Sequence, residues 1–83
     1  MYTNEGLIDE VREVMATVFG VAESELPPDV AQESYARWTS LYHMTLLVSI
    51  EDRFATPLSM DEMLSMTSLP SIVAVLEGHG VQA

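Results

Sequence analysis

Apolar residues recur at helical spacing near the start of the chain: Leu7, Ile8, Val11, Val14, Met15, Val18 and Phe19. A 3.6-residue period puts them on one stripe, so the segment is a helix with a core face. Thr3 or Asn4 is positioned to cap it, Glu5, Asp9 and Glu10 suit the positive end of its dipole, and Gly20 is a natural stop. Residues 20 to 38 sustain no period. Pro27-Pro28-Asp29 breaks the chain direction, and Val21, Leu26 and Val30 are spaced as apolar anchors that pin a loop to a core. A loop of that length in a small domain either has a task or holds a short helix.

A second helix is predicted from Thr39 or Ser40 to about Phe54, with Arg53 in its last turn and Pro57 soon after. Ser59-Met60-Asp61-Glu62 has the capping-box spacing and opens a short helix containing Met63 and Leu64. Thr67 or Ser68 caps a last helix, in which Pro70 falls in the first turn and Ile72, Val73, Val75 and Leu76 form the apolar side; Gly78 and Gly80 end it. No strand-like alternation competes. The class is therefore all-α, a small bundle of three longer helices and one short one in a single domain spanning residues 1–83.

The second helix carries two apolar stripes. At about 100° per residue, Leu46, Leu47, Ile50 and Phe54 share one side, and Leu41, Met44 and Val48 share another centred roughly 190° from Leu46. The second stripe is either more core, on a helix buried on most sides, or an exposed docking patch. Met44 is the soft kind of residue that adaptable surfaces use, and Glu51 and Asp52 rim the far end.

Composition narrows the function. Thirteen acids oppose three arginines and no lysine, for a net charge of −10. Nucleic acid binding and docking on an anionic membrane both need the opposite sign. Basic partners, or enzymes with basic patches, fit instead. With no cysteine, disulfides, zinc–thiolate sites and iron–sulfur clusters are excluded. The longest apolar run, around Leu46–Ile50, is far too short to span a bilayer. No basic stretch leads into an apolar one between Met1 and Asp9, so a soluble, cytoplasmic monomer is expected.

Ser40 has two readings. As a cap, its oxygen satisfies a free backbone N–H; as an attachment point, it holds a phosphodiester where helix N–H groups and dipole stabilise negative charge. The surrounding residues resemble a known family. Trp38-Thr39-Ser40-Leu41 followed by Leu46 through Phe54 looks like the attachment segment of an acyl carrier protein. Val18-Phe19-Gly20-Val21 is similar to the end of that family's first helix, Pro57 through Met63 to the approach to its short third helix, and Ser68 through Leu76 to its last helix.

The resemblance implies a four-helix bundle carrying 4′-phosphopantetheine on Ser40, installed from coenzyme A by a phosphopantetheinyl transferase. The arm's thiol then holds acyl or aminoacyl groups as thioesters, and the chain is a shuttle, not an enzyme. Its further partners are a loading ligase or transferase and downstream enzymes of fatty-acid, polyketide or other specialised biosynthesis. Leu41, Met44, Val48, Glu51 and Asp52 align with positions the family uses to meet its enzymes. Thr39 departs from the family, which usually has Asp directly before the modified serine. Tyr42-His43-Met44-Thr45 stands where the family's helix is commonly acidic. Losing the acid weakens metal-assisted transfer if the transferase uses that carboxylate; it also fits a dedicated pathway.

Other chemistry is thin. His43 lies one turn after Ser40, but no third group or strained turn completes a nucleophile–base set, and it leans toward the core stripe. Trp38 is expected to pack in the core. His79, between two glycines, is expected to be solvated, and the two histidines are too far apart for a metal motif. The acid pairs Glu51-Asp52 and Asp61-Glu62 are solvated helix surface, and no acids show EF-hand spacing. The competing class is an unmodified helical adaptor that binds a protein through the acidic, apolar-centred face. An acidic nucleic-acid mimic is weaker, because the acids fall in short separate groups.

Overall fold

The computed structural model describes residues 5–81. Its order is α1 (Glu5–Phe19), a 3-10 turn (Glu23–Glu25), α2 (Ser40–Phe54), α3 (Met60–Ser65) and α4 (Leu69–Gly78). The all-helical bundle with one short helix is as the hydrophobic pattern requires; the 3-10 turn is the short helix that the loop conceals. The caps proposed at Thr3 and Asn4 lie outside the described residues. Among the described residues no helix is long and apolar enough to cross a membrane.

Helix α1 packs on α2 and α4. It buries Leu7, Val11, Val14, Met15, Ala16 and Phe19 against Leu46, Leu47 and Ile50 of α2 and Ile72 and Leu76 of α4. Its stop is built on Gly20 at φ 70°, around which the Val21 N–H returns to the Ala16 carbonyl at 3.0 Å. Ser59 and Ser68 cap α3 and α4, each in a reciprocal box with the residue three positions on, Glu62 and Ser71. The choice between Thr67 and Ser68 thus falls to Ser68.

The long connection from Gly20 to Thr39 is held at two places. The half-buried Arg12 guanidinium donates to the carbonyls of Glu23, Leu26 and Pro27 at 2.8–3.0 Å. Farther on, an isolated antiparallel bridge pairs Ala31 with Ser68: Gln32 N–H donates to Thr67 and Leu69 N–H to Val30, both at 2.9 Å. Between these ties Leu26 and Val30 are buried, as their spacing suggests.

His79 is exposed, as expected, and it also has a partner. Its Nε2 lies 2.7 Å from Glu62 Oε2, joining the end of α4 to the start of α3. The cause lies in the fold, since chain proximity gives no hint that residues 62 and 79 meet. The Ser59 backbone N–H, and after it His79, hold the Glu62 carboxyl below the usual carboxylate range. A carboxylate with a lowered folded-state pKa stabilises the fold above its unfolded value, and that contribution disappears as pH falls through the folded value. Glu62→Gln should therefore lower the melting temperature at neutral pH, with the difference from wild type closing as the solution is acidified, followed by circular dichroism.

Helix α2 ends on Ala55 in the left-handed region, at φ 49°. A side chain there is strained, and glycine is not. Ala55→Gly should stabilise the protein by about 0.5–1 kcal/mol, read as a higher urea midpoint at unchanged slope.

Candidate functional site

The start of α2 is fixed from several sides. The chain turns tightly before it: Trp38 N–H donates to Tyr35 and Thr39 N–H to Arg37, each at 3.0 Å. Thr39 is extended, at φ −82° and ψ 172°, and its hydroxyl accepts the Tyr42 N–H at 3.3 Å. Thr39 is therefore the cap, and Ser40 is the first helical residue. Phe19 at the end of α1 contacts this region through Tyr35, Trp38 and Tyr42, with ring centroids 5.4, 5.8 and 6.1 Å apart. Such edge-on and tilted contacts favour one relative placement of the rings.

Trp38 is 2% exposed, in the core as expected. Its indole N–H donates to His43 Nδ1 at 2.9 Å, and His43 Nε2 lies 3.0 Å from the Met63 carbonyl. An indole can only donate and a carbonyl can only accept, so the ring is the neutral tautomer with its hydrogen on Nε2. Both nitrogens are occupied, which removes His43 as a base for Ser40. The imidazole instead ties together the pre-helix turn, α2 and α3. The sequence placed Trp38 and His43 as separate packing residues and missed the link; their spacing of five across a helix start is the signal that carries it.

Ser40 is exposed, and among the described residues its hydroxyl has no hydrogen-bond partner. The contrast with the other two serines at helix starts is chemical. Ser59 and Ser68 spend their hydroxyls on caps at 3.1 and 3.2 Å. At α2 Thr39 does that work, and the adjoining serine oxygen is left projecting from the positive end of a fifteen-residue helix.

The two stripes of α2 separate, with Phe54 at the helix end only partly buried. Leu46, Leu47 and Ile50 have no exposed surface, whereas Leu41, Met44 and Val48 are 76, 50 and 57% exposed. The second stripe is thus surface, not core. Asp52 is exposed at its far end, while Glu51 is half-buried and accepts the Leu58 N–H at 3.0 Å, closing the turn toward α3. One of its oxygens is therefore already engaged inside the chain. Two further exposed apolar residues, Met60 and Leu64, lie four apart on α3, with Met63 turned against the core. Sequence reading did not assign them to the surface, because six residues are too few to define a face.

A family model described as phosphopantetheine attachment site matches residues 9–76, which takes in the whole site and most of the bundle. No curated protein matches the chain.

The division of α2 predicts a sharp contrast in stability. Leu47→Ala should cost about 2–5 kcal/mol by leaving a cavity in the core. Its neighbour Val48→Ala should stay within about 0.5 kcal/mol of wild type. Urea unfolding of the two variants measures both.

Proposed function

The chain belongs to the phosphopantetheine attachment-site family and is a carrier of that covalent arm, and on that premise we propose that the arm is borne by Ser40 and shuttles acyl or aminoacyl thioesters between enzymes. The observation that supports Ser40 most is its exposed hydroxyl, without a hydrogen-bond partner among the described residues, beside a threonine that has taken over the capping role. Ser40 and Leu41 lie ahead of the Thr39-capped Tyr42 N–H, in the first turn, where backbone donors and the helix dipole favour an attached phosphodiester.

In the attachment step the Ser40 Oγ attacks the phosphorus of coenzyme A that bears the pantetheine. A P–O bond forms to the serine, the bond to the bridging oxygen of the pyrophosphate breaks, and 3′,5′-adenosine bisphosphate leaves with that oxygen. The hydroxyl proton passes to a base that the phosphopantetheinyl transferase supplies, since Thr39 offers no carboxylate next to the nucleophile. The chain brings no thiol of its own, so the cargo thioester forms on the sulfur of the arm. The family's domains carry cargo and leave the chemistry to their partners.

Those partners are a transferase, a loading enzyme, and biosynthetic enzymes of fatty-acid, polyketide or specialised metabolism. Leu41, Met44 and Val48 supply the apolar centre of the docking face. Covering such side chains fully is worth roughly 1.5–3 kcal/mol each. Asp52, with Glu51, supplies the acidic rim that a basic enzyme surface recognises, and the charge of −10 steers the encounter. Thr39 favours a second reading, an unmodified adaptor docking through the same face, because the acid usual before the modified serine is missing.

Intact mass separates the two. Protein incubated with coenzyme A and a broad-specificity transferase should gain one phosphopantetheine, and Ser40→Ala should gain nothing. A wild-type chain unmodified by several active transferases, and unmodified when purified from its own source, is the adaptor.

A further inference from the structure

We infer that His43 is a positioning residue for arm attachment: by accepting the Trp38 indole N–H and donating to the Met63 carbonyl, it holds the turn that presents the Ser40 hydroxyl. The inference rests on the reading that Ser40 carries the arm. The ties that hold the long connection act at different distances from that hydroxyl. Arg12 binds carbonyls of residues 23, 26 and 27, and the bridge to Ser68 acts at residues 30–32. The Trp38–His43 bond, at 2.9 Å, acts two residues before Ser40 and three after it, so it straddles the nucleophile.

Its alignment is well determined. Trp38 is buried, and its N–H points at the imidazole with the two rings 6.0 Å apart and 31° from parallel. The second nitrogen is fixed by a backbone carbonyl of α3, so the ring cannot turn without losing a bond at one end or the other. Among the described residues the Ser40 hydroxyl has no hydrogen bond of its own to orient it. Its placement depends on the backbone on either side, and the imidazole clamps that backbone. A misplaced nucleophile costs rate in the transferred-group transition state while leaving partner docking intact.

The test uses the full chain, coenzyme A and an active phosphopantetheinyl transferase, with steady-state kinetics well below each variant's melting temperature. Asparagine puts a carboxamide oxygen where Nδ1 lies and keeps an acceptor for Trp38; glutamine puts its nitrogen where Nε2 lies and keeps only the bond to Met63. His43→Asn should retain kcat within about threefold of wild type, and His43→Gln should lose about tenfold in kcat with KM little changed. Trp38→Phe keeps an aromatic ring and removes the donor, and should match His43→Gln. The double variant should be no worse than either single one, because both break one shared link.

If kcat is preserved in folded His43→Gln and Trp38→Phe, or if the whole effect falls on KM, the positioning role is wrong while attachment stands. The same holds if His43→Asn is as impaired as His43→Gln. If wild type accepts no arm at all, the attachment reading fails and takes this inference with it.

Discussion

The Arg12 guanidinium meeting three loop carbonyls is the interaction on which the rest of the arrangement depends. A connection running from Gly20 to Thr39 with only a three-residue 3-10 turn in it has few internal partners for its backbone. Polar backbone brought against a core must find partners elsewhere. One planar cation with several fixed donors satisfies three acceptors at once, which an ammonium would do with much less geometric definition. With the first half of the loop tied to α1 and the second half to the α3–α4 junction, Leu26, Val30 and Trp38 reach the core, and α2 begins where it does.

That starting point gives α2 its two roles. One side is sealed against α1, while the other carries Leu41, Met44 and Val48 in water. An exposed apolar strip invites pairing of like copies. The net charge of −10 opposes it, since two copies repel each other as they approach. Of the three arginines, Arg12 is committed to the loop and Arg53 bonds Glu10 and Glu13 of α1 at 3.2 Å, while Arg37 is exposed in the turn before α2.

Much of this was legible in the sequence. The helices follow from apolar periodicity, and the caps at Ser59 and Ser68 from side chains spaced to answer a free N–H. The wheel separated the two stripes of α2 but left open whether the second was covered, because periodicity records direction and not what stands opposite. Nothing in the local spacing of Arg12 marks it as the partner of three loop carbonyls. His79 read as a solvated tail residue and is exposed, but its bond to Glu62 was not legible. Glu51 read as rim, and it also closes a turn through Leu58.

The sequence by itself determined the class of fold, the acidity, the absence of a native thiol and the serine at a helix start, since composition and local spacing fix these without reference to any distant residue. Only the tertiary structure decided that Thr39 caps α2 and leaves Ser40 free, that Leu41, Met44 and Val48 are bare, and that Trp38, His43 and Met63 form one chain of hydrogen bonds. The physical reason is the same in each case. A hydrogen bond or a covered surface exists only when a particular partner arrives, and the partner's arrival is settled by how the helices pack and where the long loop is tied.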